Sequence, residues 1–210
     1  MKTNQVLMIA AIVFTVVMIV LELLRRSRQN KITNELTRAM LTGDFERFDA
    51  LADDPATVKA IHPFNLAHSK FSSYLLRNDP QKITECFDDL CARRLSNNQK
   101  LAIAQMGFSY FVSQYDQPRS TWCHDVISSL SREAAVRDNT DMLYEILIEK
   151  KTDRLDQLLE RNESLPTAQR SSNEYLISEI YANLGDEKNR KKYEKMASRD
   201  LEASQRQLNR

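Results

Sequence analysis

The chain has 210 residues, 30 Lys and Arg against 29 Asp and Glu, and 42% hydrophobic side chains, room for one domain of moderate size plus an anchor. Five of the basic residues (Lys2, Arg25, Arg26, Arg28, Lys31) fall in the first 31 positions against one acid, Glu22, so residues 32–210 carry a net charge of −3. That balance excludes the basic face that neutralises nucleic-acid phosphates, and three Gly in the whole chain exclude a glycine-rich phosphate cradle.

In chain order, residues 1–5 are a short tail. Val6–Leu21 then reads VLMIAAIVFTVVMIVL, interrupted only by Thr15, and Glu22, Leu23 and Leu24 extend it to 19 residues. At about 1.5 Å per residue this is roughly 28 Å, close to the ~30 Å hydrocarbon core of a bilayer. The pattern predicts one transmembrane helix over Val6–Leu24, with Glu22 at the headgroup boundary. A cleaved signal peptide would need small residues at its end, whereas this run is followed by Leu-Glu-Leu-Leu-Arg-Arg. Residues 25–33 form a basic juxtamembrane segment. Its Arg25, Arg26, Arg28 and Lys31 place the C-terminal domain in the cytoplasm by the positive-inside rule and suit anionic lipid headgroups. Ile32, Leu36 and Met40 recur at helical spacing, so the anchor either runs unbroken into the first domain helix or joints at the polar stretch Ser27–Lys31.

Residues 34–210 lack the alternating β-branched pattern of strands and are rich in helix formers; the class expected is all-α. One feature recurs, a corner with Asp at its second position: Gly43-Asp44, Asn78-Asp79, Tyr115-Asp116, Thr152-Asp153 and Gly185-Asp186. Gly or Asn suits the left-handed residue that closes a helix, and the Asp can cap the next one. Five residues before each Asp stand Ala39, Tyr74, Phe111, Ile148 and Tyr181, never a charge. Asp54-Pro55 is a further helix start, and Ser96-x-x-Gln99 and Ser171-x-x-Glu174 read as capping boxes. Apolar stripes flank the corners, for example Ile83, Cys86, Phe87, Leu90 and Cys91, then Trp122, Cys123, Val126, Ile127 and Leu130. Hairpins of this kind bury their stripes by stacking.

These corners, spaced 33–37 residues apart, and the aromatic Tyr74 before Ile83, Phe87 and Leu90 resemble the tetratricopeptide-repeat family. Tyr181-Ala182-Asn183-Leu184-Gly185-Asp186 with Tyr193 and Ala197 is similar, although Arg190 stands where the family prefers a small residue. The resemblance implies an αα-hairpin solenoid after the transmembrane helix. It also implies an extended peptide bound on the concave face of the first helices, at positions matching His68 and Ser72, Gln105 and Ser109, and Tyr175 and Glu179. The Lys and Asn with which some members grip a C-terminal carboxylate are missing. The polar helix at about Glu187–Leu208 is expected to cap the solenoid end with a wet face.

Little catalytic chemistry is visible. Cys123-His124-Asp125 sit on a helix with neighbours about 100° apart, so they do not converge on one atom. The three cysteines are an odd number, too few for a disulfide framework, and Cys86 and Cys91 are not spaced for zinc with His62 or His68. No cofactor, metal, nucleic acid or small-molecule substrate is expected. The residues point to a membrane-anchored protein–protein interaction module, an adaptor with no catalytic activity of its own. The alternative is an accessory subunit of an integral membrane complex for translocation or envelope assembly, whose anchor makes the main contacts.

Overall fold

The computed structural model describes residues 2–208; within these, the side chains of residues 2–17, 19–21, 24, 168 and 207–208 lie outside the described set. The described residues form eleven α-helices and no strand. They divide into two compact units, Met1–Arg93 and Arg94–Arg210.

Four of the five corners close in the same way. Gly43, Asn78, Tyr115 and Gly185 all have φ between +51° and +72°. At each, the left-handed residue donates to the carbonyl three back and the following Asp N–H to the carbonyl five back: Ala39, Tyr74, Phe111 and Tyr181. This is the Schellman pattern, and it explains why those four positions share one spacing. Each Asp then accepts the backbone N–H three residues on, from Arg47, Lys82, Arg119 and Asn189. Thr152-Asp153 departs from the expectation. There the left-handed residue is Lys150, the Lys151 N–H reaches the Glu145 carbonyl six back, and the next helix begins at Leu155 with no side-chain cap. Asp153 caps nothing, because the wider turn carries the helix start two residues past it.

Unit 1 holds α1 (Lys2–Leu41), α2 (Phe45–Asp53), α3 (Pro55–Ala60), α4 (Pro63–Arg77) and α5 (Pro80–Cys91). α1 is one helix through Ser27–Lys31, so that stretch is no joint. Below it the chain returns antiparallel. Leu36 and Ala39 of α1 bury against Phe48 and Ala52 of α2 and Leu66 of α4, with Ile32, Met40, Leu51 and Ile61 packed around them. The Gln29 amide donates to the Ala60 carbonyl at 2.6 Å, pinning the end of α3 to α1. Arg77 of α4 holds both oxygens of Asp49 in α2 at 2.8 and 2.6 Å beneath the rings of Phe45 and Tyr74. Among the described residues no helix is long and apolar enough to cross a membrane. Of the expected span Val6–Leu24 only Met18, Glu22 and Leu23 have described side chains; the rest of that span lies outside the described set.

Unit 2 holds α6 (Asn97–Ser113), α7 (Gln117–Leu130), α8 (Ala134–Leu147), α9 (Leu155–Ser164), α10 (Thr167–Asn183) and α11 (Glu187–Leu208). Ser96 and Gln99 form the expected capping box. Neighbours pair as α6 with α7, α9 with α10 and α10 with α11, while α6, α8 and α10 touch in succession, an arrangement compatible with a helical solenoid. The expected box at Ser171-x-x-Glu174 is absent. α10 starts five residues earlier than that box implies, at Thr167 with Pro166 as its N-cap. Glu174 is therefore mid-helix and fully buried, receiving the Asn162 amide at 3.3 Å. Asp200 of α11 is also buried, with Arg199 at 2.8 Å. Glu174 Oε2 and Asp200 Oδ2 have no hydrogen-bond partner among the described residues. Burial first, then the negative charge of Asp200, push the Glu174 carboxyl above its ordinary value.

Candidate functional site

Unit 2 carries a groove of about 910 Å³ between α6, α8, α10 and α11. Its floor is apolar: Met142, Leu143 and Leu147 from α8, Leu176 from α10 and Leu201 from α11, with Val112 of α6 behind them. These come from the same stripes that build the core. Met142, Leu147 and Leu176 are buried, whereas Leu201 is half exposed and presents uncovered apolar surface. Small hydroxyls (Ser109, Ser113, Ser171, Ser172) line the walls, where they let a chain approach closely and offer it donors and acceptors.

Three of the six residues expected on a concave face meet here: Ser109, Tyr175 and Glu179. They come together because Ser109 lies one turn before the end of α6 and the other two lie one turn apart on α10. Gln105 is exposed on α6 but one turn away from the groove lining. His68 and Ser72 belong to unit 1, on α4, both half-buried. The His68 ring rests on Phe64 at 5.7 Å, and burial lowers its pKa from the ordinary value.

The repeat spacing does not mark the residues that flank Glu179. The Tyr115 hydroxyl donates to Glu179 Oε2 at 3.1 Å, and Lys150 Nζ lies over the Tyr115 ring at 4.5 Å. Burial, the hydrogen bond with Tyr175 and the charge of Glu179 hold the Tyr115 phenol well above its ordinary range, so it remains a donor at any physiological pH. Tyr115 and Lys150 are two of the three non-glycine residues with positive φ, a conformation costing about 1–2 kcal/mol for a residue with a Cβ. The two strained corners are thus joined to each other. The available signal was Tyr115 itself, a bulky residue at a corner position where Gly43 and Gly185 are free of that cost.

The groove carries little net charge. Arg161 and Arg190 face Glu179 and Glu194, and Arg190 is already held by Glu187 at 2.6 and 2.8 Å and by Glu194 at 3.2 Å. That contact draws the Glu187 carboxyl down to about 2. No protein-family model, curated protein or solved structure matches this chain. The geometry of the site is an apolar floor with hydroxyl-lined walls and Tyr175 beside Glu179.

The Cys123-His124-Asp125 triplet serves a different purpose. Cys123 is fully buried. The His124 ring stacks on Tyr144 at 4.2 Å, and its Nε2 meets Asp141 Oδ1 at 2.9 Å. Ser128 Oγ donates to that same oxygen at 3.1 Å, so the hydroxyl is directed to the carboxylate and not to the imidazole. The Tyr144 hydroxyl closes the set with Thr121 at 2.7 Å. These bonds tie α7 to α8. In unit 1, His62 accepts the Phe64 N–H on Nδ1 at 3.2 Å as the cap of α4. Cys86 donates to the Ala67 carbonyl, and burial pushes its thiol up to about 11. Among the described residues no group of three or more His, Cys, Asp or Glu is placed to hold a metal ion.

Proposed function

We propose that this chain is a single-pass membrane protein whose tetratricopeptide-like helical domain faces the cytoplasm and docks a peptide segment of a protein partner. It acts as an adaptor rather than an enzyme. The observation that carries the docking role is the unit 2 groove, with its apolar floor at Leu143, Leu176 and Leu201 and its rim at Tyr115, Tyr175 and Glu179. Support for the anchor comes from the 19-residue stretch Val6–Leu24, apolar but for Thr15 and Glu22, from the large exposure of Met18 and Leu23, and from Glu22, which pairs with Arg26 at 2.9 Å where the charged flank begins. Four closely similar Schellman–Asp corners support the repeat reading. The mechanism is local concentration: tethering turns a solution encounter into a near-intramolecular one. Arg25, Arg26, Arg28 and Lys31 set the topology and meet lipid headgroups.

The test is crosslinking and mass spectrometry of full-length protein in native membranes, comparing Tyr175→Ala with Leu201→Glu in one variant and a polyleucine replacement of Val6–Leu24 in another. Loss of the crosslinked partner in the groove variant, with retention in the anchor variant, is the expected result. The reverse pattern assigns the contacts to the anchor and makes the chain an accessory subunit of a membrane complex.

A further inference from the structure

The path of unit 1 brings one end of it back toward the start of the domain. α1 descends to the Gly43 corner, α2 and α3 climb beside it, and the Ala60 carbonyl ends up bonded to Gln29 at 2.6 Å. α4 then descends from Pro63 and α5 climbs again from Pro80, and the Arg93 guanidinium at its upper end donates to the Pro63 carbonyl at 3.4 Å. The α3–α4 turn and the end of α5 therefore form a tip at the level of Gln29.

Gln29 is five residues past Leu24 on one continuous helix, about 7.5 Å along the axis. The headgroup layer of each leaflet is itself about 5–7 Å deep. If Val6–Leu24 spans the bilayer, the tip lies at the outer edge of that layer, within reach of the headgroups. Its chemistry fits that place. Val58 is exposed and Lys59, also exposed, has no acidic partner among the described residues. Arg93 is held by Asp89. Arg25, Arg26, Arg28 and Lys31 on α1 add four basic side chains, and neither residues 25–31 nor residues 58–63 include an acid.

We infer that the Val58–Pro63 turn, together with Arg93, is a second membrane contact: a basic tip seated in the anionic headgroups beside the transmembrane helix. This rests on the spanning role of Val6–Leu24 proposed above. The consequence is that unit 1 is fixed against the bilayer, not hung from a flexible tether, because Gln29, Ile32 and Leu36 lock α1 to α2 and α3. A surface that attracts anionic lipid binds it more weakly as salt rises, and Val58 adds apolar surface to the contact.

The experiment uses the full chain reconstituted in vesicles of equimolar phosphatidylcholine and phosphatidylglycerol, with a fluorescent non-natural amino acid at position 59 or, as control, at position 41. Leu41 is highly exposed at the far end of α1, about 18 Å below Gln29. Quenching by headgroup-nitroxide lipid is expected to be about threefold stronger or more at position 59 than at 41, and to weaken in vesicles of phosphatidylcholine alone. Alkaline extraction of the same vesicles reads the span separately. Protein that resists extraction while positions 59 and 41 quench equally overturns the tip and leaves the span standing. Protein that is extracted overturns both. Lys59→Glu with Arg93→Glu, in a chain that still resists extraction, is expected to abolish the difference in quenching of a probe at position 58 between the two vesicle compositions; a difference as large as that of the parent chain also refutes the basic tip.

Discussion

At the scale of single residues, the Asp that follows each helix end decides whether a corner is tight. Asp116 accepts the Arg119 N–H and also pairs with its guanidinium at 2.7 Å, whereas Asp153 has no capping role. Asp116→Ala is expected to lower unfolding stability by about 1 kcal/mol and Asp153→Ala to change it by less than about 0.5 kcal/mol, both read by urea denaturation. Equal losses would mean that the fourth corner is built like the others. The Arg77–Asp49 pair makes a second residue-scale case. The guanidinium hydrogen bond holds the Asp49 carboxyl below its ordinary value of 3.8. Its stabilisation is therefore present above about pH 3.8 and disappears as the pH falls through the lowered value. Because Asp49 is 39% exposed, Asp49→Asn is expected to cost only about 1 kcal/mol at neutral pH, and to flatten the acid limb of a stability–pH curve. The corners could be read from sequence because Gly-Asp and Asn-Asp are local chemistry, satisfied within six residues. The left-handed Lys150 could not be, since no residue type at that position announces a wider turn.

At the scale of elements, α10 and α11 depend on each other through a buried polar patch as well as through Leu176, Ile177 and Ile180. Glu174 is the odd member, fully buried with an unpartnered oxygen and a raised pKa. A carboxyl whose folded-state value exceeds its unfolded 4.5 is penalised at neutral pH. That penalty is relieved as the pH falls through the raised value toward 4.5, where the folded state binds the proton first. Glu174→Gln is expected to raise the thermal midpoint at pH 7 and to remove the stabilisation that mild acid gives the parent chain. A lower midpoint at pH 7 would show that the charge is compensated by its neighbours. Sequence alone took Glu174 for a helix start, because S-x-x-E is a surface pattern with no information on burial. The same limit hid the His124–Asp141–Ser128 link. Its members lie on α7 and α8, up to 17 residues apart, and only packing sets their distance.

For the whole molecule, the boundary of the folded part moves toward the N-terminus. A domain beginning at residue 34 follows from where the apolar periodicity becomes obvious, yet Gln29 and Ile32 already belong to unit 1. A fragment 34–210 is expected to be less stable than 25–210 by about 2 kcal/mol, the sum of one hydrogen bond and one partly buried isoleucine, read by thermal or urea unfolding of the two. Equal stabilities would mean that α1 contributes nothing above Asn34. The residue order by itself determined the all-α class, four of the five corners, the capping box at Ser96 and the apolar, basic-flanked stretch at Val6–Leu24. Each of these is written in periodicity or in contacts between near neighbours. Tertiary structure decided that α1 is one continuous helix, that Ser109, Tyr175 and Glu179 share a groove while His68 and Ser72 lie in another unit, and that Tyr115 bonds Glu179 with Lys150 over its ring. These depend on which faces of distant helices meet, a matter of three-dimensional packing that spacing along one chain does not encode.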